Sequence, residues 1–102
     1  MARMLNPPHP GALLKEGLEA LNVSARAFAE RIKVSPSTVT RVMNEEGPIT
    51  PVLAVKIAKA IPGPTAETWL EMQADYDARQ AELSVDVSFI EPFATDMMAV
   101  TA

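Results

Sequence analysis

The chain has 102 residues, is 48% hydrophobic, carries a net charge of −4 and contains no cysteine. That length supports one compact domain with one core, and the lack of cysteine excludes a disulfide framework and any thiolate metal site. No apolar run approaches the roughly 20 residues that span a bilayer, and the opening MARMLNPPHP lacks the apolar core of a secretory signal. The expectation is a cytoplasmic protein with no membrane partner.

Residues 6–11, Asn-Pro-Pro-His-Pro-Gly, are too rich in proline to be helical throughout, and Pro10 can open a first helix over residues 10–21. Leu13, Leu14, Leu18 and Leu21 are its expected inward residues, and Asn22 can end it. Ser24 caps a second helix and Ser35 a third. A serine hydroxyl satisfies free backbone N–H groups there, and Pro36 fits the first helical position, where no donor is needed. Residues 44–48, with Glu45 and Glu46, read as a solvated loop. Thr50-Pro51 repeats the cap-then-proline start for a fourth helix over residues 51–60, with Val52, Val55, Ile57 and Ala58 expected to face inward. Pro62-Gly63-Pro64 breaks that helix, and Thr65 caps a fifth over residues 66–82.

On the fifth helix Trp69, Met72 and Tyr76 fall at spacings of three and four, a stripe that is either core or the interface of a homodimer. Beyond it Leu83, Val85, Val87 and Phe89 alternate with polar residues, which is strand-like over seven positions. A lone strand needs a partner, so this segment either forms one strand or stays unstructured with the rest of the tail. The expected organisation is an all-α domain of five helices over residues 1–82 and a C-terminal tail over residues 83–102.

Residues 24–44, SARAFAERIKVSPSTVTRVMN, carry the functional signal. Ala29 is small enough for two helices to cross closely, while Phe28, Ile32, Val34, Val39 and Val42 sit where a helix-turn-helix buries its contacts. In such a motif the second helix enters the major groove of DNA. The turn position before Val34, commonly glycine, is Lys33. A left-handed backbone costs a residue with a Cβ about 1 kcal/mol or more, a strain that a longer turn would avoid. The polar side of the third helix suits base edges: Arg41 can fork onto a guanine, and Ser35, Ser37, Thr38 and Thr40 can bond to bases. Ser24, Arg26, Lys33 and Asn44 flank it as candidate phosphate contacts. The bland alternative for Arg41 is a surface ion pair with a carboxylate.

Charge is unevenly spread. Residues 1–64 hold eight of the nine basic residues and five acids, whereas residues 65–102 hold one basic residue and eight acids, giving +3 and −7. A basic front can dock on double-stranded DNA. The acidic rear would steer a cationic protein partner or serve only as solvated surface. Enzymatic chemistry has little support: His9 is the single histidine, in a proline-rich loop where capping explains it. No glycine-rich phosphate loop, catalytic constellation, metal-ligand spacing or cofactor motif occurs.

Taken together, NPPHPG at residues 6–11, VSPSTVTRVMN at 34–44, ITP at 49–51 and ETWLEMQADYDARQ at 67–80 resemble the HigA family of antidote proteins. These belong to the Xre and Cro/C1 helix-turn-helix class. The resemblance covers about three quarters of the chain and implies a lambda-repressor-like fold and an all-helical homodimer. It also implies neutralisation of a HigB-like toxin, an mRNA endonuclease, and repression of the protein's own operon at a palindromic operator. The family usually has Gly-Val where this chain has Lys33-Val34, and the tail beyond Glu82 matches no family pattern. Two other readings stay open from the residues: a solitary regulator without a toxin, and a protein-interaction module with a vestigial helix-turn-helix.

Overall fold

The helix starts are set by side-chain caps. In the computed structural model, which describes residues 6–94, His9, Ser24, Ser35, Thr50 and Thr65 each stand in extended conformation and accept a backbone N–H from the turn that follows. The bonds run from Gly11 N–H to His9 Nδ1 at 2.9 Å, from Ala27 to Ser24 Oγ at 3.1 Å, from Thr38 to Ser35 Oγ at 3.3 Å, from Leu53 to Thr50 Oγ1 at 3.3 Å and from Thr68 to Thr65 Oγ1 at 3.1 Å. Each such cap contributes about 1 kcal/mol. The helices that result are α1 Pro10–Leu21, α2 Ala25–Ile32, α3 Pro36–Met43, α4 Pro51–Ala60 and α5 Ala66–Ser84. None of them is long and apolar enough to cross a membrane.

α1 and α2 end in the same way. Asn22 (φ 57°) and Lys33 (φ 60°) turn left-handed, and the next residue bonds back across the last turn, Val23 N–H to Leu18 O at 2.9 Å and Val34 N–H to Ala29 O at 3.0 Å. Both ends are Schellman closures. The turn at Lys33 is therefore no longer than usual, and the lysine takes the strained conformation itself. Folding outweighs that cost because Val34 lands against the core beside Ala29. Lys33→Gly should raise stability by about 0.5–1 kcal/mol, since glycine adopts this backbone without strain. A lower thermal midpoint in the absence of DNA would contradict this.

The core gathers Leu14 and Leu18 from α1, Phe28, Ala29 and Ile32 from α2, Val39 and Val42 from α3, Leu53, Ala54 and Ile57 from α4, and Trp69 from α5, with Ile49 and Ile61 at the ends of α4. α2 packs mainly on α3, α5 on α4, and α1 lies against α3 and α5. At the closest approach of α1 to α3, Gly11 leaves to the Val42 carbonyl the space that a Cβ would occupy.

Two inward faces differ from expectation. Leu13 and Leu21 are exposed, because Leu14 and Leu18, four apart, already define the buried stripe of α1. In α4, Val52 and Val55 are more than half exposed. The stripe that turns inward is Ile49, Leu53, Ile57 and Ile61, an unbroken four-residue spacing that begins before the helix itself. Ile57 and the half-buried Ala58 do face the core as expected.

Of the two outcomes open to residues 83–89, a strand or an unpaired tail, the strand is not formed. α5 runs two residues past Glu82 to Ser84, whose hydroxyl donates to Gln80 O at 2.9 Å, and the chain then turns. Ser88 N–H donates to Asp86 Oδ1 at 2.9 Å, and Ile90 N–H to Val87 O at 3.0 Å. The backbone N–H of Ser88, and after it the Ser88 hydroxyl, hold the Asp86 carboxyl below its ordinary pKa by hydrogen bonding to it. No strand exists among the described residues to accept an edge, so local turn bonds win over extended pairing. Residues 95–102 of the anticipated tail lie outside the described residues.

Candidate nucleic-acid interface

α2 and α3 can be set close together because Ala29, completely buried, has no side chain beyond its methyl at the crossing. With Val39 and Val42 turned inward, a step of about 100° per residue puts Ser37, Thr40, Arg41 and Asn44 on the opposite side of α3, with Thr38 on its flank. All five are exposed, as are Ser24, Arg26, Lys33 and Ser35. The nine residues singled out from sequence thus lie along the start of α2, the turn, and the outer side of α3. The free N–H groups at the starts of both helices add partial positive charge there.

Within this surface the hydroxyls are tied together. Ser35 Oγ, already the α3 cap, lies 3.1 Å from Ser37 Oγ and 2.9 Å from Thr38 Oγ1. Ser35 therefore fixes its neighbours in place, and Ser37 and Thr38 present the oxygens that face outward. Three hydroxyls at a helix start offer both donors and acceptors, the mixture that base edges and phosphates require.

Arg41 pairs with the loop and with no carboxylate among the described residues. Its Nη2 donates to the Glu46 carbonyl at 2.9 Å, while its own carbonyl accepts from Glu46 N–H at 2.8 Å and Gly47 N–H at 3.2 Å. The side chain lies over Gly47, where a Cβ would come within 3.5 Å of Arg41 Cβ. Glu45, left-handed at φ 62°, bends the loop back to make this possible. One of five guanidinium N–H donors is engaged among the described residues, which leaves the fork available while fixing its base.

The same loop is held from behind. Buried Gln73 accepts Ile49 N–H at 2.8 Å and donates to Asp77 Oδ1 at 3.0 Å, so α5 anchors the segment against which Arg41 rests. Gln73, Gly47 and the Glu46 carbonyl are site residues that the sequence reading passed over. The one available signal was a glutamine lying beside the aromatic stripe of α5. Within that stripe Trp69 is core, Met72 packs half-buried against the core, and Tyr76 meets His9 edge-on at 4.8 Å. His9 is a buried cap, the bland role expected for it.

Comparison with known proteins agrees with this geometry. A helix-turn-helix family model matches residues 14–67, the span from α1 into the start of α5. The uncharacterized HTH-type transcriptional regulator YddM of Escherichia coli K12 is 37% identical over 93 residues, covering 91% of this chain and 98% of that protein. An addiction module antidote protein of the HigA family from Coxiella burnetii is similar in structure, with a TM-score of 0.69 and 33% identity over 79% of this chain and 97% of that one. PA4674 of Pseudomonas aeruginosa, solved in complex with its operator DNA, superposes with a TM-score of 0.74 at 28% identity, covering 86% of this chain and 98% of that one. The chain belongs to the helix-turn-helix family of the Xre type, in the branch that holds the HigA antidote proteins.

Proposed function

We propose that this chain is the antitoxin of a type II toxin–antitoxin module: as a cytoplasmic homodimer it represses its own operon by binding operator DNA, and it neutralises a HigB-like mRNA endonuclease toxin. The observation that carries the reading is the outer side of α3, where exposed polar residues stand opposite a fully buried hydrophobic contact with α2. The likeness to an operator-bound structure over most of the chain supports it. In this reading Ser35, Ser37, Thr38, Thr40 and Arg41 meet base edges, and Ser24, Arg26, Lys33 and Asn44 meet phosphates. Residues 1–82 form the reading domain and residues 83–102 its tail.

Base contacts specify and phosphate contacts position, so the two groups separate experimentally. Arg41→Ala should cost about 1–3 kcal/mol at one base position and relax the preference there, whereas Arg26→Ala should weaken all sequences alike. A binding-site selection in which both variants lose affinity equally for every sequence would contradict the assignment. Arg41→Ala also releases the Glu46 carbonyl, so Arg41→Lys, which keeps a cation and loses the fork, should relax the same position.

The acidic rear half suits a basic toxin. Co-expression with a basic reading frame found beside this chain's own should relieve that protein's toxicity and yield a stable complex. A second reading, a solitary regulator, is favoured by the likeness to YddM across 91% of the chain. The absence of any toxic neighbour whose effect this chain relieves would decide for it.

A further inference from the structure

Two unpartnered surfaces on the molecule complement each other. The first is a cleft of about 450 Å³ between α2 and α4, lined by Arg31, Ile32, Val55, Lys56, Lys59 and Ala60, a volume within the usual range for ligand sites. Its apolar residues are Ile32, Val55 and Ala60. Its rim carries three cations, none paired with a carboxylate among the described residues. Lys56 Nζ makes only a long bond, 3.4 Å, to the Lys33 carbonyl.

The second is the segment over residues 83–93. Leu83, Val85, Val87, Phe89, Ile90 and Phe93 are all more than half exposed, with Phe89 at 78% and Phe93 at 93%. Between them stand Asp86 and Glu91, and no cation lies in the segment. A run of large apolar side chains left in water is unfavourable, and a shared patch of this kind marks a docking surface.

We infer that residues 83–93 of one copy dock into the α2–α4 cleft of a second copy, apolar side chains inward and Asp86 and Glu91 against the Arg31, Lys56 and Lys59 rim. Phosphate would satisfy those cations but not Ile32, Val55 and Ala60, whereas the alternating segment satisfies both. Exchange between copies follows from the shape. Gln73 is the last fully buried residue of α5, Tyr76 and Arg79 beyond it are half-buried, and the helix from Gln73 to Ser84 carries the segment roughly 16 Å onward. The molecule is accordingly 55 Å long and only 25 by 22 Å across. Reciprocal docking about a two-fold axis fills both clefts and closes the assembly. Such exchange requires neither DNA nor a toxin.

The absence of native cysteine makes the test direct. Val55→Cys in one population of full-length chains and Ser88→Cys in another, mixed and mildly oxidised, should give a disulfide-linked heterodimer several-fold more abundant than Thr40→Cys with Ser88→Cys. Asp86→Lys with Glu91→Lys in the Ser88→Cys chain should depress that yield to the control level. Lys56→Glu with Lys59→Glu in the Val55→Cys chain should then restore it. Yield no greater than the control would overturn the proposal. So would an internal disulfide in a Val55→Cys, Ser88→Cys double variant without the mixed dimer, since the segment would then occupy its own cleft.

Discussion

Trp69→Ala should cost about 3–5 kcal/mol, a large share of the 5–15 kcal/mol by which domains of this size are stable. Trp69 is 1% exposed and joins α5 to the core formed by α1 to α4. Its indole Nε1 is buried with no acceptor among the described residues, so what is lost is apolar burial and packing. Trp69→Phe, which keeps a ring and removes that donor, should cost much less. The effect reaches the interface, because Gln73 lies one turn further on and holds Ile49, behind the loop on which Arg41 rests. Urea unfolding of the isolated protein measures the loss. Unchanged stability with a dissociated dimer would instead make Trp69 an interface residue.

Gly11→Ala should be nearly as damaging, at about 3 kcal/mol, although it adds a single methyl to a helix. The new Cβ would collide with the Val42 carbonyl oxygen, which is backbone and has no rotamer with which to yield. α1 must then move off α3, which loses its support. Gly17→Ala, six residues along the same helix, is the control: nothing lies within 4 Å of its added Cβ, so the helix propensity of alanine should stabilise by up to about 1 kcal/mol. Opposite signs for the two changes in a thermal melt would locate the α1–α3 contact at Gly11. Equal effects would contradict it.

What was legible in the sequence was local chemistry. A capping side chain followed by proline or a helix-forming run needs no tertiary partner to define a helix start, so the five starts stand at the expected residues. Which side of a helix turns inward depends on neighbours, and there pattern reading misplaced Leu13, Leu21, Val52 and Val55. The four-residue spacing from Ile49 to Ile61 begins outside α4 and is easily missed when the helix is considered alone. The exposed polar side of α3 followed from the burial of Val39 and Val42. The hold of the Glu46 carbonyl on Arg41 did not, since it depends on a left-handed Glu45 and on Gln73, 24 residues beyond Ile49. The alternation over residues 83–89 was a real pattern without a strand to receive it. Its apolar residues are the ones left exposed.

The proposed function requires α3 to read a specific duplex sequence. Footprinting of the protein on the DNA upstream of its own reading frame separates this from non-specific binding. The predicted result is a two-fold symmetric protected site, its half-sites about one helical turn or roughly 34 Å apart, lost when Ser37, Thr40 and Arg41 are replaced together by alanine in a protein that remains folded. Protection of that DNA no stronger than of random duplex would contradict the claim.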